Sequence, residues 1–144
     1  MQIKDVMTQS AATVNSDAFV IDAATKMKNL NVGSLPVCDN GKLEGLITDR
    51  DIIVRLLAEG LDPLCTRIGE IMTPGATYCF DDQTLDEAAE LMETRQIGCM
   101  PILNRNKQLV GMLSLGDIAI RADTIYQDLA NAALKHLRTL RAIK

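Results

Sequence analysis

The tetrapeptide DVMT at residues 5–8 recurs as EIMT at residues 70–73, and the similarity between the two halves of the chain continues outward from these segments. The stretch VIDAATKM at 20–27 aligns with LDEAAELM at 85–92. Further equivalent positions are Gly33 and Gly98, Pro36 and Pro101, Gly45 and Gly111, and Asp51 and Asp117. Because Gly, Pro and Asp recur together in the same order, the halves are predicted to share one backbone plan, and the chain is predicted to be an internal duplication.

Each half is predicted to run strand, helix, strand, strand, helix. Apolar and small residues at helical spacing predict the first helices, at Val20, Ala23, Ala24 and Met27 and again at Leu85, Ala88, Ala89 and Met92. We expect Gly33 and Gly98 to end these helices. The remaining elements are predicted around 13–14, at 35–38, 43–48 and 51–59 in the first half, and around 78–79, at 100–103, 108–114 and 117–122 in the second.

The duplication divides the chain into a first motif at 1–59, a connector at 60–68, a second motif at 69–122 and a C-terminal segment at 123–144. A motif of this size buries too little apolar surface to be stable alone. The two motifs are therefore predicted to pack face to face with pseudo-twofold symmetry, as an α/β (α+β) fold with a C-terminal helix. Such packing leaves equivalent clefts between the motifs, where small ligands commonly bind.

The composition is that of a globular protein with an aliphatic core. The 144 residues are 47% hydrophobic, 24% charged and 3% aromatic. The net charge of −4 argues against a surface devoted to nucleic acid or anionic lipid. No apolar run is long enough for a signal peptide or a membrane span, so a cytoplasmic location is expected.

Neither a metal centre nor an active site is predicted. The four cysteines form no CxxC pair and the single histidine, His136, lies far along the chain, so zinc is not expected. The sequence contains no GxGxxG, P-loop or HExxH motif. An enzyme is therefore not expected, and no cofactor is required.

Two related segments, GLITDRD at 45–51 and GMLSLGD at 111–117, lie where a predicted strand leads into a helix. The glycine would allow a ligand or a neighbouring backbone to come close, and the hydroxyl would face an anion or a ribose. The carboxylate would accept two hydrogen bonds from a sugar diol. An equally strong alternative is that each hydroxyl caps its helix and each acid favours the positive helix end.

These two segments occur together with DVMT and EIMT, with the helices VIDAATKM and LDEAAELM, and with VGSLPV at 32–37 and IGCMPI at 97–102. In this combination they resemble two tandem CBS motifs, the Bateman module. The resemblance extends over about residues 3–122, and the chain is similar to small stand-alone CBS pairs, including the hypoxic-response type. It implies a non-catalytic regulatory module that binds AMP, ADP, ATP or S-adenosylmethionine in clefts between the motifs and signals by conformational change.

The resemblance also implies two sites that combine residues of both motifs. In the first site, Thr48 and Asp51 would face the ribose, and the adenine side would be lined by Thr77, Tyr78, Cys99, Met100 and Pro101. In the second site, Ser114 and Asp117 would act with Ala12, Thr13, Ser34, Leu35 and Pro36. Basic residues that hold phosphates in such proteins are missing before the LP and MP segments, which disfavours tight triphosphate binding. The charges of Asp49 and Arg50 favour the Asp51 site for a charged ligand.

The resemblance further implies a homodimer. The charge and the absence of a long apolar run predict no membrane contact and no nucleic-acid partner, and a protein partner, if there is one, is not identified by the sequence. The alternative function is an interaction or scaffold protein whose ligand sites are degenerate. Residues 124–143 are predicted to form an amphipathic helix. This helix would pack on its own domain or a sister subunit, dock another protein or, least favoured, contact nucleic acid.

Overall fold

The computed structural model describes residues 1–121, 130–135 and 137–138 of the chain. In this part of the chain the strands are β1 (Thr8–Gln9), β2 (Ser34–Asp39), β3 (Lys42–Thr48), β4 (Thr73–Pro74), β5 (Cys79–Phe80), β6 (Cys99–Leu103) and β7 (Leu109–Ser114). The helices are α1 (Val20–Leu30), α2 (Asp49–Asp51), α3 (Ile68–Ile71), α4 (Leu85–Arg95) and α5 (Leu115–Arg121). A short 3-10 helix at Ile3–Asp5 precedes β1, and a π-helix at Ile52–Leu57 continues α2.

The two repeats contain matching antiparallel hairpins, β2–β3 and β6–β7. Each hairpin has a register irregularity at the same place in its first strand, between Val37 and Cys38 and between Ile102 and Leu103. The β2–β3 turn is made by Asn40 and Gly41, both with positive φ. This is the turn that an Asn-Gly pair favours, because its twist matches that of the strands. The predicted duplication and both predicted hairpins are confirmed.

Each repeat is completed by a segment that precedes the other repeat in the sequence. β1 pairs with β7 in the order β1-β7-β6-β5, and β4 pairs with β3 in the order β2-β3-β4. On the far side of β2, Val14 forms a single parallel bridge to Val37, at the place that β5 takes beside β6. Residues 1–9 and 68–74 are therefore exchanged between the repeats, an arrangement that no sequence pattern predicted.

Two separate hydrophobic cores result from this exchange. The first repeat's core combines its own helix and strands with the exchanged α3: Val14, Val20, Ala23, Met27, Leu35, Val37, Ile47, Leu56, Ile68 and Ile71. The second core takes in the N-terminal residues of the chain: Ile3, Val6, Met7, Cys79, Leu85, Ala88, Met92, Met100, Ile102 and Leu113. The predicted apolar faces of α1 and α4 point into these cores, which confirms both helices.

The prediction that Gly33 and Gly98 end the first helices is wrong. The left-handed residues that follow α1 and α4 are Asn31, with φ 54°, and Gln96, with φ 56°. Asn adopts this conformation at little energetic cost because its short polar side chain bonds locally. A Cβ on Gly33 would lie 2.9 Å from Asp49 Oδ2, the end of an exposed side chain that can move aside.

The second helix of each repeat begins two residues earlier than predicted, at Asp49 and at Leu115. In the first repeat it continues as a π-helix, a rare conformation that places one more residue in each turn. Within the predicted C-terminal helix, residues 130–135 and 137–138 are helical, and the remainder of 124–143 lies outside the described residues. None of the helices that the structure describes is long and apolar enough to span a bilayer.

Candidate functional site

The hydroxyl and the carboxylate of each repeated motif cap the helix that follows. The Thr48 backbone N–H donates to Asp51 Oδ2 at 3.0 Å, and the Asp51 N–H donates to Thr48 Oγ1 at 3.0 Å. Ser114 and Asp117 form the same pair of hydrogen bonds with the same lengths. The geometry of the capping alternative is thus present in both repeats. In each repeat, capping engages Oδ2 of the carboxylate and leaves Oδ1 for another partner.

The first glycine of each motif lies against exchanged backbone. A Cβ on Gly45 would lie 2.3 Å from the carbonyl oxygen of Thr73, and a Cβ on Gly111 would lie 2.6 Å from the carbonyl oxygen of Thr8. Real Cβ atoms do not approach backbone oxygens this closely, so only glycine allows β4 and β1 to pair here. Of the two predicted reasons for the glycine, approach of a neighbouring backbone is the one that the structure shows.

Oδ1 of Asp51 is engaged by the exchanged segment of the second repeat. The Thr73 hydroxyl donates to Asp51 Oδ1 at 3.1 Å and lies 3.3 Å from Oδ2. The Arg55 guanidinium lies 3.8 Å from Oδ1. Arg55 also donates to the backbone carbonyls of Ile71 and Met72, at 3.4 and 3.0 Å. Asp51 is 7% exposed as a result, and its carboxylate is surrounded by donors.

Asp117 is less enclosed than Asp51. It is only half-buried, and among the described residues its carboxylate accepts one hydrogen bond, the capping bond at Oδ2. Thr8, which corresponds to Thr73 in the repeat, is exposed and makes no side-chain hydrogen bond within the described part of the chain. The two motifs therefore have the same caps and different surroundings.

The two repeats meet at the ends of their hairpins. Ser34 pairs with Thr48 in the β2–β3 register, and Cys99 pairs with Ser114 in the β6–β7 register. The Ser34 hydroxyl donates to Cys99 Sγ at 3.5 Å across the two repeats. We call these four residues, Ser34, Thr48, Cys99 and Ser114, the strand-end cluster. It brings both motif hydroxyls to the same junction, as a site shared by two repeats requires.

The placement of the Cys99 thiol disfavours its charged thiolate form. Burial raises the pKa of the Cys99 thiol, and the negative charge of Asp117 raises it further, although the hydrogen bond from Ser34 acts in the opposite direction. A neutral thiol is a weak nucleophile. Cys99 therefore contributes a small, polarisable surface to the junction.

The predicted lining residues are positioned along the inner strands. Ala12 and Thr13 precede Val14, whose backbone exchanges hydrogen bonds with Pro36 and Cys38 on β2. Thr77 and Tyr78 lead into β5, which runs beside β6. The ring of Tyr78 is 39% exposed and packs edge-on against Phe80, with the ring centroids 5.5 Å apart. The predicted lining residues thus lie on β2 and β6 or just before the segments that pair with these strands.

Four of the predicted lining residues are buried, main chain included. Leu35 is 2% exposed and Met100 is fully buried, and each belongs to the core of its own repeat. Pro36 and Pro101 are also buried. These four residues therefore present almost no surface to a ligand.

Two surface grooves lie along α1 and α4. One, of about 630 Å³, is formed by the residues before α1, by α1 itself and by Cys38, and it includes Thr13 of the predicted set. The other, of about 400 Å³, lies between the end of α4 and Leu115 at the start of α5. Neither groove is lined by Asp51 or Asp117.

The residues that the sequence analysis of the motifs missed are Thr73 and Arg55. Thr73 belongs to the EIMT segment whose recurrence revealed the duplication, so the pattern marked it as structurally required without showing what it contacts. Arg55 follows Asp51 by four residues, a spacing that brings side chains together on a helix. Within the described residues, no group of His, Cys, Asp and Glu side chains is arranged to hold a metal ion.

Fold and site together define an internally duplicated α/β protein whose repeats exchange their N-terminal segments and present equivalent hydroxyl–carboxylate motifs at a shared junction. The model of the CBS domain family matches residues 3–58 and again residues 68–122. The chain belongs to the CBS domain family and carries the domain as a tandem pair, as the sequence motifs predicted.

Relatives of known sequence and structure have the same organisation. The CBS domain-containing protein YhcV of Bacillus subtilis is 40% identical over 118 residues, which are 82% of this chain and 83% of that protein. A crystal structure of hypoxic response protein I with two coordinated zinc ions has a TM-score of 0.76 and 32% identity, and the match covers 83% of this chain and 97% of that chain. The CBS pair of protein MJ0100, in complex with 5′-methylthioadenosine and S-adenosylmethionine, has a TM-score of 0.73 and 29% identity, and covers 82% of this chain and 92% of that chain.

Proposed function

We propose that this protein is a non-catalytic regulatory module that binds an adenosyl ligand, of the AMP, ADP, ATP or S-adenosylmethionine class, between its two CBS motifs. Binding would favour one arrangement of the repeats, and that change would be passed to a protein partner. Such signalling requires only that the ligand bind one arrangement more tightly than the other. The site would consist of the motif residues and the two predicted lining sets.

The observation that carries this proposal is the strand-end cluster. The Ser34–Cys99 contact brings β2–β3 and β6–β7 end to end, so that Thr48 and Ser114 lie at one junction with their capped acids behind them. A ligand that contacts both hairpins at this junction would be sensitive to the arrangement of the repeats. The adenosyl compounds held by the CBS pair of MJ0100 support the choice of ligand class.

Calorimetric titration of the protein with AMP, ATP, S-adenosylmethionine and NAD tests the proposal. We expect saturable heat with at least one of the four and the loss of that heat when Asp51→Asn and Asp117→Asn are combined. Glu90→Gln, which changes an exposed acid on α4, is the matched control and should bind as the wild type does. Circular dichroism of each variant shows whether the fold is retained. The absence of heat with all four compounds would contradict ligand sensing.

A second candidate function, an interaction or scaffold protein with degenerate sites, is favoured by a specific observation. The carboxylate of Asp51 accepts hydrogen bonds from its cap and from Thr73 and lies 3.8 Å from Arg55, and the residue is only 7% exposed. A protein without functional sites would keep both acids as helix caps alone. In that case the combined replacement of Asp51 and Asp117 would lower stability, and no adenosyl compound would raise the melting temperature of the wild type.

We also propose a homodimer, as the family resemblance implies. Light scattering over a range of protein concentrations measures the mass of the particle. A mass of twice the chain's 15.7 kDa at high concentration supports the homodimer, and a constant mass of 15.7 kDa contradicts it.

A further inference from the structure

The two equivalent threonines of the repeated DVMT and EIMT segments have different roles. Thr73 donates its hydroxyl to Asp51, at 3.1 and 3.3 Å from the two carboxylate oxygens. Thr8 occupies the same position on β1, pairs with Met112 through its backbone and makes no side-chain hydrogen bond in the described part of the chain. The capping bonds of the two motifs, in contrast, are identical in length.

The contact made by Thr73 is of the kind that a ribose would make. A carboxylate binds a sugar diol by accepting hydrogen bonds from its hydroxyls, and Thr73 presents a hydroxyl to both oxygens of Asp51. A diol and the Thr73 hydroxyl therefore compete for the same acceptors. Thr73 itself is exposed, but the Asp51 carboxylate is largely shielded from water, so a ligand that displaces Thr73 must replace the donor that the carboxylate loses.

Arg55 makes this displacement harder. Its guanidinium donates to the carbonyls of Ile71 and Met72, the two residues before Thr73, and lies 3.8 Å from Asp51. The same arginine thus holds the exchanged segment and the acid together. Moving the backbone of Thr73 away from Asp51 requires breaking these contacts, or moving the π-helix that carries Arg55.

We propose that Thr73 blocks ligand binding at Asp51, so that the protein binds one adenosyl ligand per chain, at Asp117. This proposal rests on the ligand-binding function proposed above and assigns that function to one of the two clefts. It differs from the expectation from sequence, which favoured the Asp51 site for a charged ligand. A residue of the exchanged β4 then takes the place of a ligand at the first site.

The number of ligands bound per chain tests this role, with AMP and S-adenosylmethionine as the probes in calorimetry. The wild type should bind one equivalent, and Asp117→Asn should abolish binding. Thr73→Val, which removes the hydroxyl and keeps the shape, should bind two equivalents, and Thr73→Val combined with Asp117→Asn should retain one. Thr8→Val is the matched control, and Thr73→Ser restores the hydroxyl, so both should bind one equivalent.

The failure of this role and the failure of the proposed function give different results. Two equivalents bound by the wild type, or one equivalent bound by Thr73→Val, would overturn the role of Thr73 and leave ligand binding intact. No binding of either probe to any of these variants would remove the proposed function and the role of Thr73 with it. Thr73→Ser keeps the hydroxyl and loses the methyl group, whereas Thr73→Val loses the hydroxyl and keeps the branched shape. A general loosening of the fold would affect both variants, whereas the proposed competition affects only Thr73→Val.

Discussion

Ser34 and Cys99 occupy equivalent positions in the two repeats, and the Ser34 hydroxyl lies 3.5 Å from the Cys99 sulfur. Contact between equivalent residues places them beside the pseudo-twofold axis that relates the halves. Each is paired in its hairpin with the hydroxyl residue of its own motif. The distance between Ser34 and Cys99 therefore reports how the two candidate clefts are arranged relative to each other.

This proximity predicts that Ser34→Cys forms a disulfide with Cys99 under mild oxidation. A disulfide needs a sulfur separation of about 2.0 Å, which a short side chain at position 34 reaches by a small rotation. The native chain has four free cysteines. Thiol titration of oxidised Ser34→Cys under denaturing conditions should find three reactive thiols, on a chain that migrates as a monomer in a non-reducing gel.

The control for this cross-link is Ser34→Cys combined with Cys99→Ser, which has the same number of cysteines as the wild type. It should keep all of its thiols under the same oxidation. If Ser34→Cys alone also keeps every thiol, the hairpin ends are farther apart in solution than the contact indicates.

Gly45 and Gly111 provide a test of the exchanged strands. An alanine Cβ at Gly45 would lie 2.3 Å from the Thr73 carbonyl oxygen, and at Gly111 it would lie 2.6 Å from the Thr8 carbonyl oxygen. We expect Gly45→Ala and Gly111→Ala each to lower the free energy of unfolding by about 1–3 kcal/mol, because the strand pair must separate to admit the methyl group. Urea denaturation followed by circular dichroism measures this change.

Gly98→Ala is the matched control for these two variants. Its Cβ would meet only the Leu115 Cδ1 atom, at 3.8 Å, and Gly98 does not have a positive φ. We expect a change within about 0.5 kcal/mol. Equal destabilisation by all three alanines would show that the close approach of β1 and β4 is not what requires glycine in the motif.

The duplication, the hairpins and the first helices were predictable because each produces a local periodicity or turn pattern. The exchange of residues 1–9 and 68–74 was not predictable in this way. The DVMT and EIMT segments are compatible with pairing to their own repeat or to the other one. Each repeat offers an equivalent strand and an equivalent glycine for the segment to pair with. Which repeat a segment joins is decided by the length and path of the connecting chain.

For the candidate site, the positions of the motif residues were predictable, and the contacts of those residues were not. The spacing of Thr48 and Asp51 allowed both a cap and a ligand contact, and the structure contains the cap. The third partner, Thr73, is distant in sequence and reaches Asp51 only through the exchanged strand. A contact of this kind follows from tertiary packing, so no local pattern around GLITDRD signals it.

The Ser16–Asp39 pair predicts a pH-dependent contribution to stability. The Ser16 hydroxyl and its backbone N–H, the latter at 2.9 Å, donate to the Asp39 carboxylate and lower the pKa of that carboxyl. A folded-state pKa below the unfolded value of about 3.9 stabilises the protein above that pH, and the stabilisation is lost as the pH falls through the lowered folded-state pKa. We expect Ser16→Ala to raise the folded-state pKa of Asp39 toward its usual value, as measured by NMR titration.

The stability difference between the wild type and Ser16→Ala should accordingly shrink as the pH falls from about 4 toward about 2. In an Asp39→Asn background there is no carboxylate to titrate, so Ser16→Ala should have the same effect at every pH. A pH-dependent difference that persists in that background would assign the effect to another acid.

Because residues 1–9 belong to the core of the second repeat, we expect a substitution in this segment to lower the stability of the protein considerably. Ile3 is fully buried in the core of the second repeat, as its equivalent Ile68 is in the core of the first. We expect Ile3→Ala and Ile68→Ala each to lower the free energy of unfolding by about 2–5 kcal/mol, through lost apolar burial and the cavity that remains.

Leu30→Ala is the control for these two variants, because Leu30 is 51% exposed at the end of α1 and should change stability by no more than about 0.5 kcal/mol. Since each core contains residues from both halves of the sequence, Ile3→Ala and Ile68→Ala should also shift one cooperative transition of the whole molecule. A separate early transition in Ile3→Ala, with the first repeat still folded, would mean that the exchanged segments do not join the repeats into one cooperative unit.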